Sequence, residues 1–214
     1  MERPAINWAQ LAEQAGIVTR SMAGGGTGTN QGSEEARRAL EWLVGEDNIR
    51  SGVELWLAGR PGEQAAAAAA WSVLMYIRSR RATELAYEAY QRARTEGRPD
   101  DAGLAVVLTD DICHPAALDW VDEFLDYEPT ANAGLGLVDQ ALFHGVIYPD
   151  DERLEPWLQA AESKPDLYIR EAVQRIRESM AKWATESTVG DAPAPTSEPT
   201  PDPEPAEREA LDYR

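Results

Sequence analysis

Cysteine is nearly absent from this sequence, because Cys113 is the only one among 214 residues. A single cysteine excludes an internal disulfide bond and any zinc site built from several cysteines. No segment approaches the roughly 18 uninterrupted apolar residues that suggest a membrane-spanning helix. The opening residues, MERPAINWAQ, contain neither a basic nor an apolar segment, so we expect no signal peptide. Together these absences predict a cytoplasmic protein.

Positive charge is also scarce, since 20 Lys and Arg residues stand against 38 Asp and Glu residues and the net charge is −18. Such a surface repels the phosphates of nucleic acids and anionic lipid headgroups. We therefore expect neither a nucleic acid nor a membrane as a partner, and we expect a protein partner that is itself basic. The alternative is that the acidity only keeps the protein soluble.

Composition divides the chain into four segments. Residues 1–20 are predicted to form a loosely attached N-terminal helix, and residues 21–32 form a glycine-rich linker that lacks the Gly-Lys-Ser/Thr of a phosphate-binding loop. Residues 33–185 form the predicted main domain. Residues 186–214 hold six prolines and eight acidic residues, so they bury too little apolar surface to fold and are predicted to be a disordered acidic tail.

The main domain has a helical pattern along its whole length. Apolar residues recur three and four positions apart, whereas the alternation typical of β-strands is nearly absent. Six consecutive alanines occupy 65–70, and alanine is the strongest helix former. The pattern therefore predicts an all-α fold.

Four prolines interrupt this pattern, each directly after a charged residue and between two amphipathic runs: Pro61, Pro99, Pro129 and Pro165. They stand 38, 30 and 36 residues apart, which is the period of a two-helix repeat. Proline ends one helix because it lacks an N–H, and it fits the first turn of the next helix, where that N–H is not needed. The sequence thus predicts an α-solenoid of about four helix pairs after a first helix at 33–45. The predicted pairs span 47–78, 81–110, 115–145 and 150–183.

In each predicted helix pair, the residue eight or nine positions after the proline is expected to be buried on the second helix. These residues are Ala69, Val107, Val138 and Val173. Tryptophans within the amphipathic runs are expected to be core residues as well. These are Trp42, Trp56, Trp71, Trp120 and Trp157.

The last repeat, PDLYIREAVQRI at 165–176, resembles a HEAT repeat. In that family a proline-containing turn precedes an apolar–arginine pair and then small and apolar residues, here Pro165, Ile169, Arg170, Ala172 and Val173. Lys164 stands where the family usually has an aspartate, and Ala66, Leu104 and Gly134 occupy the arginine position of the other copies. The resemblance covers about 47–183 and implies a HEAT-like α-solenoid.

Three further segments are similar to small acidic HEAT-like proteins of bacterial toxin–immunity systems. They are ALEWLVGEDNIRSGVELWLAG at 39–59, ALDWVDEFLDYEP at 117–129 and GLGLVDQALFHGV at 134–146. This resemblance implies a protein that binds and silences a partner toxin. We therefore predict a non-enzymatic, protein-binding role without catalytic residues, metal or cofactor. A general scaffold with another kind of partner is the alternative within that class.

The segment ALDWVDEFLDYE carries the predicted binding face. Its acidic residues follow the spacing i, i+3, i+4 and i+7, which places them on one side of a helix: Asp119, Asp122, Glu123 and Asp126. The apolar residues Leu118, Val121 and Leu125 fall on the opposite side. Like charges at these spacings repel one another, so the stripe is predicted to await a basic partner. Its other interpretation is a solvated helix face.

Two enzymatic alternatives involve the segment TDDICH at 109–114. A carboxylate of Asp110 or Asp111 and the imidazole of His114 could hold a divalent metal in a helical enzyme. A HEAT-like bilin lyase would instead need a reactive group such as Cys113. Against both, the segment also fits a helix end that runs into a proline turn, and adjacent residues on a helix point apart.

His144, the second of two histidines, is expected to cap the end of a helix. Asp139 lies among apolar residues, so an inward-pointing carboxylate there would need a partner. Asn132 and Gln140 are the candidates for that network.

Overall fold

The computed structural model describes residues 5–17 and 34–189, with side chains as far as residue 183. The predicted linker at 21–32 lies outside the described residues, as does most of the predicted tail at 186–214. The chain divides into two units, residues 1–177 and residues 178–214. The described part of the second unit is the end of one long helix.

Within the described residues the fold is entirely helical and contains no β-strand, which confirms the predicted all-α class. The helices are α1 (Trp8–Gln14), α2 (Glu34–Val44), α3 (Glu46–Ala58), α4 (Gln64–Ile77), α5 (Arg80–Thr95), α6 (Pro99–Ile112), α7 (Val121–Asp126), α8 (Ala131–Phe143), α9 (Leu154–Glu162) and α10 (Leu167–Val189). Short 3₁₀ turns at Pro115–Trp120 and Glu128–Thr130 lead into α7 and α8. No helix in this part of the chain is both long enough and apolar enough to cross a bilayer.

All four marked prolines lie at junctions between helices. Pro99 is the first residue of α6, and Pro61 lies in the turn between α3 and α4. Pro129 belongs to the 3₁₀ turn before α8, and Pro165 lies in the bend before α10. None interrupts a helix, because each occupies a place where a backbone N–H is not required.

Several consecutive helices of the described chain pack against each other. Contacts join α3 to α4, α5 to α6, and α7 to α8. Successive pairs also meet, since α3 contacts α5 and α7 contacts α9, while α6 contacts both α4 and α8.

The N-terminal helix is firmly packed, and the prediction of a loose attachment is wrong. Trp8 is 5% exposed and Ala12 is completely buried, and α1 contacts α4. The indole of Trp8 lies over Gly52, where an added Cβ would stand 2.7 Å from the ring. The glycine leaves the notch that the tryptophan fills. The helix is also shorter than predicted, because it ends at Gln14.

Most predicted core positions are buried, including Ala69, Val138 and Val173. Val107 is the exception and is 38% exposed, whereas Val106 is buried. The buried face of α6 includes Ala102, Ala105, Val106 and Thr109, so Val107 lies just outside it.

The five tryptophans predicted to lie in the core differ in burial. Trp56 and Trp157 are buried, and Trp71 and Trp120 are half-buried. Trp42 is 69% exposed, so its assignment to the core is wrong. The amphipathic pattern of α2 does not fix which of its apolar residues meet the rest of the protein.

Candidate functional site

The predicted acidic stripe lies on two short elements rather than on one helix. Asp119 belongs to the 3₁₀ turn at Pro115–Trp120, and the other three acids belong to α7. The opposite side is buried as predicted, with Leu118, Val121 and Leu125 in the core. The carboxylates of Asp119, Asp122 and Asp126 are exposed to solvent.

Glu123 differs from the other three acids because it is bound within the protein. The hydroxyl of Tyr87 donates a hydrogen bond to its Oε2 at 2.6 Å, and a guanidinium N–H of Arg94 donates to its Oε1 at 2.7 Å. Gln91 donates in turn to the Tyr87 oxygen at 2.8 Å. Burial, together with the bond to Glu123, raises the pKa of Tyr87 to about 12. Glu123 therefore joins α7 to α5 and has its charge balanced there.

Aromatic rings surround this junction. Tyr87 stacks on Trp120 with ring centroids 4.0 Å apart, and Tyr90 meets Phe124 edge to face at 5.0 Å. The guanidinium of Arg94 also lies over the ring of Tyr127 at 5.3 Å. Such contacts stabilise the packing beyond the area they bury. They fix the orientation of α7 and thereby of its exposed acids.

Two cationic side chains approach the exposed acids from neighbouring segments. Arg153 interacts electrostatically with Asp119, although its hydrogen bonds go to Asp151. The ammonium of Lys164 donates to the backbone carbonyl of Asp126 at 3.4 Å. The negative potential of the stripe is thus moderated at both ends.

A separate cleft of about 230 Å³ lies between α6, α8 and α10. Its polar residues are Asp110, Asn132, Asp139 and Arg175. The apolar part of its lining includes Val107, Leu135 and Ile176. The structure thus brings together Asp110 and Asp139, which the sequence had offered for different roles.

Asp110 is the most unusual group in this cleft. Its Oδ1 is fully buried and has no hydrogen-bond partner among the described residues. Burial raises its pKa well above the usual range, and the nearby charges of Asp111 and Asp139 act in the same direction. Its Oδ2 points at Gly136, where an added Cβ would lie only 2.7 Å away. A glycine on α8 therefore makes room for a carboxyl group on α6.

Asp139 lies at the rim of the cleft. The residue as a whole is exposed to solvent. Its carboxyl group is partly buried, which raises its pKa, and the positive charge of Arg175 acts in the opposite direction. Asn132 is exposed and lines the same cleft. Of the two residues suggested as partners of Asp139, Asn132 lines the same cleft and Gln140 does not; the network itself stays a prediction.

The proposed metal ligands of TDDICH are directed to different partners. Asp111 accepts a hydrogen bond from the Trp71 indole N–H at 2.9 Å. The Nδ1 of His114 accepts from the backbone N–H of Ala116 at 3.1 Å and so caps the following 3₁₀ turn. In the described ranges, no group of three or more His, Cys, Asp or Glu side chains is placed to hold a metal ion.

Cys113 is buried and ends α6 in a left-handed backbone conformation with φ 47°. Burial raises the pKa of its thiol to about 11. Since the thiolate is the nucleophilic form, this environment disfavours reactivity near neutral pH. His144 is the C-terminal cap of α8, as the sequence predicted.

Comparison with known proteins gives no assignment. No protein-family model matches the sequence, no curated protein is similar to it at a significant level, and no solved structure resembles its fold at a significant level.

Proposed function

We propose that this chain is a non-enzymatic, HEAT-like α-solenoid that binds and neutralises a basic protein, such as a toxin, in the cytoplasm. The solenoid is supported by the pattern of helix contacts. First helices of successive pairs touch in α3–α5 and α7–α9, and second helices touch in α4–α6 and α6–α8. Stacked pairs of this kind present extended surfaces for binding proteins.

The observation that carries the binding proposal is the set of exposed carboxylates at Asp119, Asp122 and Asp126. They project from a segment whose other side is buried and whose orientation is held by the bonds of Glu123. A rigid group of like charges suits a basic partner, since the attraction speeds encounter at no cost in ordering. The net charge of −18 extends the same attraction over the whole chain.

Glu123 is assigned a supporting role within this proposal. Its two carboxylate oxygens are occupied by Tyr87 and Arg94, so it orders α7 rather than contacting a partner. The predicted set of four contact residues is accordingly divided into three contact residues and one positioning residue.

The test measures binding of the full chain to basic proteins encoded by adjacent genes. Asp119, Asp122 and Asp126 are changed together to Asn. We expect the association rate at about 50 mM salt to fall by about tenfold, and the difference to shrink at about 300 mM because salt screens exposed charges. Biolayer interferometry at the two salt concentrations gives both rates.

The matched control changes three exposed acids on other helices, namely Asp47, Asp100 and Glu171, to Asn or Gln. Both triple variants alter the net charge equally, so only the position of the charges differs. Equal effects of the two variants would mean that net charge alone drives encounter and would reject the α7 face. Failure of every basic neighbour to bind would overturn the neutralising role.

A further inference from the structure

We infer that the cleft between α6, α8 and α10 receives an arginine side chain of the partner, whose guanidinium pairs with the carboxylate of Asp110. This inference rests on the proposed function for the identity of the partner. It names a second contact point, on other helices than the acidic stripe.

No described group donates a hydrogen bond to Asp110 Oδ1, although Asn132 and Arg175 also line the cleft. Asp110 Oδ1 is buried without a partner, and its Oδ2 faces the backbone of α8 at Gly136. An ionised carboxylate accepts hydrogen bonds at both oxygens, and leaving a buried one unpaired is costly. A guanidinium supplies five N–H donors in a planar fork that matches a carboxylate.

The charges around the cleft favour a cation. Asp110 and Asp111 lie on α6, Asp139 lies on α8, and Arg175 on α10 is the opposing charge at the cleft. Asp111 is engaged with the Trp71 indole, which leaves Asp110 and Asp139 to meet an incoming positive group. Arg175 competes with that group for Asp139.

The size and walls of the cleft fit one long side chain. Its volume of about 230 Å³ lies below the roughly 300–1,000 Å³ of pockets for drug-sized ligands. Val107, Leu135 and Ile176 line it, and apolar walls suit the methylene stem of an arginine. Val107, whose exposure departs from its predicted burial, forms part of this wall.

The first experiment uses the full chain and N-acetyl-arginine amide as the probe, followed by NMR titration. We expect saturable shifts at the amides of α6, α8 and α10, and none with N-acetyl-citrulline amide, which has the same shape without the charge. Asp110→Asn should weaken binding by at least about tenfold, because it removes the charged acceptor. Asp47→Asn, which removes an exposed charge on α3, should leave it unchanged.

Calorimetry supplies a readout that a merely structural role would not move. Pairing with a cation favours the ionised form of Asp110, so binding should release protons and its heat should depend on the buffer. Arg175→Ala should strengthen binding by a few-fold through loss of the competing charge. Gly136→Ala places a methyl group against the Asp110 carboxyl and should weaken binding of the arginine probe. This variant serves as the test if Asp110→Asn fails to fold.

Equal binding of the citrulline probe, or undiminished binding by both Asp110→Asn and Gly136→Ala, would overturn the assignment. So would equal binding of N-acetyl-lysine amide, since the forked geometry would then be irrelevant. These results need no partner and are independent of the proposed function. With a partner in hand, Asp110→Asn should raise the dissociation rate about tenfold, and an unchanged rate would remove the cleft from the interface while leaving the acidic stripe in place.

Discussion

Glu123 and Asp110 are both carboxyl groups at contacts between helices, yet their surroundings are opposite. Glu123 accepts hydrogen bonds from Tyr87 and Arg94 at 2.6 and 2.7 Å. Asp110 has a buried oxygen with no donor among the described residues. The role of an acidic residue therefore depends on the donors that neighbouring helices bring to it, and not on its place in a charge pattern.

The two environments also have opposite effects on the stability of the fold. A satisfied carboxylate between two helices contributes to their packing, because hydrogen bonds to charged groups are stronger than neutral ones. A buried carboxyl without donors opposes folding whenever it is ionised. Unsatisfied buried groups are rare in native proteins and frequently mark functional sites, and Asp110 is such a group.

The largest expected effect concerns the pH dependence of stability at Asp110. An ordinary carboxyl has a pKa of about 3.9 in the unfolded chain, and burial raises the folded value well above it. The folded state therefore binds the proton more tightly, and stability is lost as pH rises from about 4 through the raised pKa. Asp110→Asn removes this loss, so the variant should gain on the original by up to about 1.4 kcal/mol per pH unit in that window.

Urea unfolding at several values between about pH 4 and pH 8 measures this gain. Asp139, whose pKa is also raised, contributes a loss of the same sign to both proteins, and Asp111 and Arg175 are unchanged between them. Parallel stability curves for the two proteins would contradict the unsatisfied state of Asp110 and remove the contrast with Glu123.

A smaller effect is expected at Glu123, where truncation leaves two donors without an acceptor. Glu123→Ala should lower the free energy of unfolding by about 1–2 kcal/mol, since the pair with Arg94 is partly exposed and part of its energy is screened. Glu123→Gln should cost less, because it retains one acceptor oxygen. Chemical denaturation of the purified variants gives these values.

Asp122→Asn on the same helix is the matched control, since Asp122 is exposed and one position away. It should change stability by less than about 0.5 kcal/mol. If Asp122→Asn and Glu123→Ala cost the same, the bonds to Tyr87 and Arg94 do not hold α7 in solution.

The smallest effect is expected from two glycines in helix interiors. Gly103→Ala on α6 meets only the Pro129 carbonyl oxygen at 3.6 Å and should stabilise by about 0.5–1 kcal/mol through helix propensity. Gly136→Ala on α8 should fall short of that gain by about 1 kcal/mol, because its methyl group meets Asp110. In a protein that already carries Asp110→Ala, Gly136→Ala should stabilise by the full amount expected from helix propensity. If it still stabilises less than Gly103→Ala there, contact with Asp110 is not the cause.

The helical class and the positions of the helix junctions were predictable because they depend on local chemistry. Proline is excluded from helix interiors by its own ring, so Pro61, Pro99, Pro129 and Pro165 mark the junctions whatever the rest of the protein does. The burial of individual residues was less predictable, because a count from the proline does not fix which side of the next helix meets the core. Val107 is exposed while its neighbour Val106 is buried.

The site was less predictable because its contacts join distant parts of the chain. Arg94 lies on α5 and donates a hydrogen bond to Glu123 on α7. The spacing of residues within α7 cannot predict a partner on another helix. Asp110 and Asp139 belong to two helices whose contact decides that they share a cleft. Gly136 was one available signal, since a glycine inside a helix often has a packing or functional reason.

The notch at Gly52 has a consequence for the beginning of the chain. The Trp8 side chain fills that notch and covers the cluster that includes Val44, Ile49 and Val53. A shortened chain that starts after residue 17 would leave this apolar surface open to water. Such a protein should associate with itself and precipitate on concentration, so expression trials should keep the first helix intact and place any purification tag at the opposite end.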